Sequence, residues 1–86
     1  MAKVTMRYWA AAREAAGQAE QEVSADTLAA ALDSVVAERA PDTRLRDVLT
    51  RSSFLLDGDQ VRRADHPYTR LTDGSVVEVL PPFAGG

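Results

Sequence analysis

The stretch Asp26-Thr-Leu-Ala-Ala-Ala-Leu-Asp-Ser-Val-Val-Ala-Glu-Arg-Ala-Pro41 decides the fold of this chain. Asp26 or Thr27 can cap a helix at its start, and Pro41 ends it because the residue before a proline disfavours helical dihedral angles. Apolar residues recur between them at the spacing of one helix face; they are Leu28, Ala31, Leu32, Val35 and Val36. A helix with one apolar face must be covered by a second layer, which the flanking segments have to supply.

The first and last of the flanking segments, residues 3–9 and 75–80, alternate between apolar and polar residues, which is typical of half-buried strands. In the last of them, Val76 and either Val77 or Val79 are expected to face the core. Short helical turns are predicted at residues 10–16, which are followed by Gly17 as a cap, and at residues 45–49. A loop is predicted at residues 64–70. The predicted strands are residues 3–9, 20–24, 53–56, 60–62 and 75–80, with turns at 57–59 and 72–74.

These elements predict an α+β fold in which a mixed sheet of four to five strands packs on one main helix. If the first and last strands are parallel neighbours, the fold is the ubiquitin-like β-grasp. The predicted division is a folded domain at residues 1–80 and a flexible, projecting tail at residues 81–86.

The amino-acid composition excludes several classes of function. The 86 residues contain no cysteine, which excludes disulfides, a side-chain thiolate nucleophile and thiolate metal sites. A protein that binds nucleic acid usually has a basic face, so the net charge of −3 argues against a nucleic-acid partner. The negative charge instead favours a protein partner with a basic patch. With no apolar run of membrane-spanning length and no leader pattern, we expect a cytoplasmic protein without a membrane partner.

The tail, Pro81-Pro82-Phe83-Ala84-Gly85-Gly86, carries the strongest functional signal. The prolines fix φ and remove backbone donors, so they end the strand and favour an extended tail. Six extended residues reach roughly 20 Å at about 3.3 Å each. A terminal glycine pair places a carboxylate in a narrow channel without steric obstruction, and Phe83 is predicted to enter a partner pocket.

The Pro-Pro-x-x-Gly-Gly end, the Asp73-Gly74 turn and the segment at residues 8–14 resemble one family across the whole chain. It is the family of β-grasp sulfur carriers, which includes the small subunit of molybdopterin synthase and the thiazole-biosynthesis carrier. The double proline and the length are more similar to the molybdopterin synthase subunit. Phe83 is bulkier than that family's usual residue.

The resemblance implies a cosubstrate rather than an enzyme. A ubiquitin-activating-enzyme-like adenylyltransferase would use ATP to adenylate the Gly86 carboxyl group, and a sulfur donor would convert it to a thiocarboxylate. The tail, from Pro81 through Pro82, Phe83, Ala84 and Gly85, would then enter the large subunit of molybdopterin synthase, in a heterotetramer, to sulfurate a pyranopterin precursor. The carrier itself would bind neither cofactor nor metal.

Three alternatives stay open. The chain could carry sulfur for another pathway, such as thiazole, cysteine or secondary-metabolite biosynthesis. It could be a ubiquitin-like modifier joined to lysines through Gly86. It could also be an interaction module with an inert tail.

Other residues are interpreted as structural. Arg13 and Glu14 are adjacent on a helix and do not face each other, so we expect surface or ion-pair roles. His66 has no second ligand nearby and is expected on a loop surface. The pair at residues 62–63 is too small for a nucleic-acid patch. Tyr8 and Trp9 cannot both point inward from one strand, so at least one is expected in the core, and an exposed one would suit a partner.

Overall fold

A computed structural model describes residues 1–82, and the predictions for residues 83–86 lie outside the described part. The elements are β1 (Ala2–Tyr8), α1 (Ala10–Ala16), β2 (Glu20–Ala25), α2 (Leu28–Ala37), α3 (Arg44–Leu49), β3 (Ser53–Leu56), β4 (Asp59–Gln60), a 3₁₀ helix (Arg63–Tyr68) and β5 (Val76–Leu80). The main helix and all five predicted strands are confirmed; the strand boundaries shift by at most two residues, and the helix ends at Ala37, short of the predicted stop at Pro41. The 3₁₀ helix replaces the loop predicted at residues 64–70.

The five strands form one mixed sheet in the order β2-β1-β5-β3-β4. The first and last strands are parallel neighbours, with Thr5 opposite Val76 and Tyr8 opposite Val79. The β1–β2 and β3–β5 pairs are antiparallel. Since α2 packs on one face of this sheet, the architecture is the ubiquitin-like β-grasp, as the sequence predicted.

The start of α2 confirms the predicted cap. The Thr27 side chain accepts a hydrogen bond of 3.1 Å from the Ala30 backbone N–H, one of the donors that a helix start leaves without an intrahelical partner. The helix ends at Ala37, one turn before Pro41. Its most deeply buried positions are Leu28, Ala31 and Val35, so the centre of the predicted stripe faces the sheet.

One detail of the last strand was predicted wrongly. Val77 and Val79 both lie fully in the core, whereas Val76 is half-buried on the opposite sheet face. Side chains alternate across a strand, so one of the two faces had to be chosen, and three valines within four residues do not indicate which. The parallel register with β1 makes that choice.

His66 is also misplaced by the sequence prediction. The 3₁₀ helix buries it, with 6% of the residue exposed, edge-on against the Phe54 ring at a centroid distance of 4.9 Å. Its Nε2 atom has no hydrogen-bond partner among the described residues. Burial lowers the pKa of His66, and the Val61 carbonyl opposes that shift. The histidine is therefore a core residue rather than a loop-surface one.

Candidate functional site at the base of the tail

Strand β5 anchors the tail in the middle of the sheet. It pairs with β1 on one side and β3 on the other, and Val77 and Val79 have no exposed surface. Displacing this strand would break two ladders and expose the core. The point from which the tail leaves is therefore among the most firmly held in the domain.

The strand ends as the sequence predicted. Leu80 is its last residue, opposite Ser53 of β3, and the prolines that follow belong to no element. Pro81 is half-buried and Pro82 is exposed. Of the predicted partner-binding residues, the structure describes these two, and it places them just beyond the sheet.

Trp9 lies beside this exit. Its backbone N–H donates to the Val79 carbonyl at 3.2 Å, which continues the β1–β5 ladder by one residue. Its own carbonyl accepts from the N–H groups of Ala12 and Arg13 and so begins α1. Its side chain is 47% exposed, whereas Tyr8 is 2% exposed. The question that the sequence left open is thus answered, because Tyr8 is core and Trp9 is the exposed aromatic.

Tyr8 is buried in the core at this end of the sheet. Its hydroxyl donates a hydrogen bond of 2.9 Å to Oε1 of Gln21 on β2. Burial raises the pKa of Tyr8 to about 12, the nearby Arg39 charge lowers it somewhat, and Glu38 adds to the increase. The phenol therefore stays neutral at physiological pH and serves as a donor.

The outer sheet face, meaning the side turned away from α2, carries a row of alternating charges. Arg7 of β1 lies between Glu20 of β2 and Glu78 of β5. The Arg7 guanidinium forms an ion pair with Glu20 at 2.9 Å. Glu78 instead accepts a hydrogen bond of 3.1 Å from the Trp9 indole. Sequence reasoning missed this row because it depends on which strands are neighbours.

Half-buried apolar side chains flank the charged row. Val76 and Leu80 alternate with Glu78 along β5, and Leu55 of β3 lies directly opposite Glu78. An apolar centre with charged neighbours is the usual composition of a protein-binding surface. The outer face could therefore receive a partner at the point where the tail leaves.

A groove of about 290 Å³ extends this surface around the start of α1. It is lined by Arg7, Tyr8, Trp9, Arg13, Ala19 and Glu20. Arginine and tryptophan are the side chains most often found as energetic anchors of protein interfaces. The groove and the outer face together form a continuous surface beside the tail.

The remaining candidate residues have structural positions. Arg13 and Glu14 are both exposed, and neither forms an ion pair within residues 1–82. Arg62 pairs with Asp65 at 3.1 Å. Arg63 donates to the carbonyl oxygens of Leu49 and Ser52 and lies over the Phe54 ring.

Over residues 1–82, no group of three or more histidine or acidic side chains is arranged to hold a metal ion. In the same part of the chain, no helix combines the length and the apolar character needed to cross a membrane.

The fold and the sequence define a class of protein, a ubiquitin-like β-grasp domain whose sequence ends in a proline-led diglycine segment. The ThiS family model matches residues 6–86, almost the whole chain. The chain therefore belongs to the ThiS family of small ubiquitin-like sulfur carriers.

Solved structures agree with this assignment. Small archaeal modifier protein 1 from Methanosarcina acetivorans is 26% identical, with a TM-score of 0.82 over 100% of this chain and 98% of that one. The HVO 2177 protein of Haloferax volcanii is 29% identical, with a TM-score of 0.74 over 99% of this chain and 87% of that one.

A third structure shares the fold. It is a chain from the complex of subunits 1 and 2 of the molybdopterin-converting factor of Helicobacter pylori, 23% identical, with a TM-score of 0.69 over 98% of this chain and 99% of that one. No curated protein sequence matches this chain at a significant level.

Proposed function

We propose that this chain carries sulfur on the carboxyl group of Gly86, as the small subunit of molybdopterin synthase. An ATP-dependent activating enzyme adenylates the carboxylate, and a sulfur donor displaces AMP to leave a thiocarboxylate. The activation is needed because a carboxylate is a poor acyl donor and adenylate is a good leaving group. The sequence contains no cysteine, so the sulfur has no side-chain thiol to occupy.

The observation that carries the proposal is the placement of β5. A strand held on both sides, with Val77 and Val79 fully buried, leads directly into Pro81 and Pro82. A rigid base followed by two residues with fixed φ limits the directions in which the tail can leave. Such preorganisation lowers the entropy lost when a tail is inserted into a partner's channel.

The proposed partners bind the outer sheet face and the groove beside Trp9. The large subunit of molybdopterin synthase is proposed because the Helicobacter pylori relative was solved as a complex of two subunits. The half-buried Val76, Leu55 and Leu80 would form the apolar centre of this contact, with Arg7 and Glu78 giving it charge specificity. The chain contributes its tail, and the chemistry takes place in the partner.

Intact-mass spectrometry of the protein purified from its own host tests the carrier chemistry. We expect a fraction in which one oxygen of the Gly86 carboxyl group is replaced by sulfur, and alkylation of that sulfur should confirm it. Co-purification with a large subunit that consumes the pyranopterin precursor would identify the pathway. A carrier that loads sulfur but co-purifies with another sulfurtransferase would contradict the molybdopterin assignment alone.

The second candidate is a protein modifier, favoured by the 26% identity to small archaeal modifier protein 1. A modifier would appear as ladders of isopeptide-linked conjugates that disappear with Gly86→Ala. If neither ladders nor the sulfur-bearing mass forms in the presence of ATP and an activating enzyme, both functions are wrong.

A further inference from the structure

The basic residues of this chain are almost all arginines. Of its ten basic residues, Lys3 is the single lysine. Net charge does not explain this choice, because lysine and arginine carry the same charge. They differ in chemistry, since the lysine amine loses its proton readily enough to act as a nucleophile, whereas the guanidinium stays protonated in proteins.

This difference matters for a protein whose own carboxyl group becomes an acyl-adenylate. An amine of the same chain could capture that group and block transfer to sulfur. The inference therefore rests on the proposed function, because it assumes that the Gly86 carboxyl group is activated. Arg7 and Arg13 line the groove beside the tail exit. A lysine at either position would compete most directly with the sulfur donor for the activated carboxyl group.

Lys3 lies at the far end of the sheet from the tail. Its backbone N–H donates to Asp73 Oδ1 at 2.8 Å, and its carbonyl accepts from the Gly74 N–H at 2.9 Å, so it is level with the residues before β5. The tail leaves the sheet beyond Leu80, which is six residues after Gly74. At about 3.3 Å per strand residue, this separates the lysine from the exit by roughly 20 Å.

The chain cannot close this distance on itself. Leu80 and Pro81 each precede a proline and are restricted to extended conformations, so the path continues away from Lys3 through Pro82. Only four residues then remain to reverse direction and return. Four residues span at most about 14 Å even when fully extended. Lys3 is exposed, however, so a second copy can reach it.

We infer that Lys3, the one side-chain amine of the sequence, is the acceptor for acylation by an activated copy of this chain, and that its position makes the reaction intermolecular. The Lys3 Nζ atom attacks the Gly86 carbonyl carbon of the second copy and forms a C–N bond. The bond from that carbon to the phosphate oxygen breaks, AMP leaves with the electron pair, and the amine releases a proton to water. The adenylate comes from the nucleoside triphosphate used in activation.

The test uses full-length protein with a Gly86 thioester made by intein cleavage, so it needs no activating enzyme. Its failure is therefore separate from failure of sulfur loading in the host. At high protein concentration we expect a dimer whose tandem mass spectrum locates a Gly86–Lys3 isopeptide bond, and its loss in Lys3→Arg. Added glycinamide should capture the thioester of both proteins, which shows that the acyl group reacts with amines.

A matched pair of added lysines tests the geometry. Arg7→Lys places an amine near the tail exit and should give a circular monomer at a rate independent of concentration. Arg70→Lys, beside Thr27 at the Lys3 end, should add only a second site for dimers. The inference is overturned if wild-type protein circularises through Lys3, if Lys3→Arg forms as much dimer through its N-terminal amine, or if glycinamide reacts and no Lys3 conjugate forms.

Discussion

The indole Nε1 of Trp9 donates a hydrogen bond of 3.1 Å to Oε2 of Glu78, a residue 69 positions later in the chain. This contact joins the start of α1 to the strand that carries the tail. It holds a half-exposed aromatic ring over the outer sheet face, next to the residues that lead to Gly86. An aromatic ring that is exposed and yet oriented by its own hydrogen bond is well suited to anchor a partner.

Trp9→Ala should weaken binding to the activating enzyme or the large subunit by about tenfold or more, the effect expected of an interface anchor. Titration calorimetry with either purified partner measures it. Tyr68→Ala is the matched control, because Tyr68 is the more exposed aromatic, at 82%, and lies on the 3₁₀ helix. Equal losses from the two substitutions would contradict the assignment of this surface.

Gly86→Ala should prevent sulfur loading while leaving the unfolding midpoint unchanged, because a methyl group crowds the reacting carbon at a position six residues after the last strand ends at Leu80. Gly17→Ala should do the reverse. Gly17 ends α1 with φ of 76°, so alanine there should lower the free energy of unfolding by about 1 kcal/mol.

Both glycine variants are compared by intact mass after loading and by denaturant unfolding. If Gly86→Ala loads at the normal rate, the steric argument for the terminal glycine is wrong. If Gly17→Ala unfolds like the wild type, the left-handed cap contributes nothing to stability.

His66 should make the domain less stable in mild acid. Burial lowers its pKa in the folded state, so the unfolded chain binds the proton more readily and stability is lost as the pH falls below the ordinary histidine value of about 6.5. His66→Leu removes this proton and the unpartnered Nε2 atom. Its free energy of unfolding relative to wild type should improve between pH 7 and pH 5, by at most about 1.4 kcal/mol per pH unit.

Urea unfolding at several pH values measures the difference between the two proteins. Arg63 and Asp65 also face His66, the first lowering and the second raising its pKa, so both are kept unchanged. Parallel pH profiles for wild type and His66→Leu would show that the histidine does not titrate between the two states.

Tyr8 should ionise only near pH 12 in the folded protein. Because the unfolded chain releases this proton near pH 10, stability should fall as the pH rises from about 10 toward 12. Ultraviolet titration of Tyr68→Phe, in which Tyr8 is the remaining tyrosine, measures the pKa directly. Ionisation at the ordinary tyrosine value would contradict the burial of this ring.

Much of the fold could be predicted because its signals are local. The stripe that begins at Leu28 repeats every three or four residues, and Thr27 marks the start of the helix, which ends at Ala37 and not at Pro41. The prediction failed where the answer depends on distant residues. Val76 and Val77 are equally apolar, and only pairing with β1 determines which of them faces the core.

The candidate site was likewise predictable only in part. The residues after Leu80 were sufficient to predict the tail, and their resemblance to the β-grasp sulfur carriers implied the chemistry, because a short motif needs no fold to be recognised. The surface around the tail was not predictable. Glu78 lies 69 positions after Trp9 in the chain, and it meets Trp9 and Arg7 only because β1 and β5 are parallel neighbours.

The sequence by itself determined the amphipathic helix, the strands and the proline-led diglycine tail, because each is encoded by a few consecutive residues. The tertiary structure decided which aromatic is exposed, which valines are core, that His66 is buried and that Lys3 lies a full strand away from the tail exit. Strand order and register are set by packing over the whole domain, so they cannot be predicted from local periodicity.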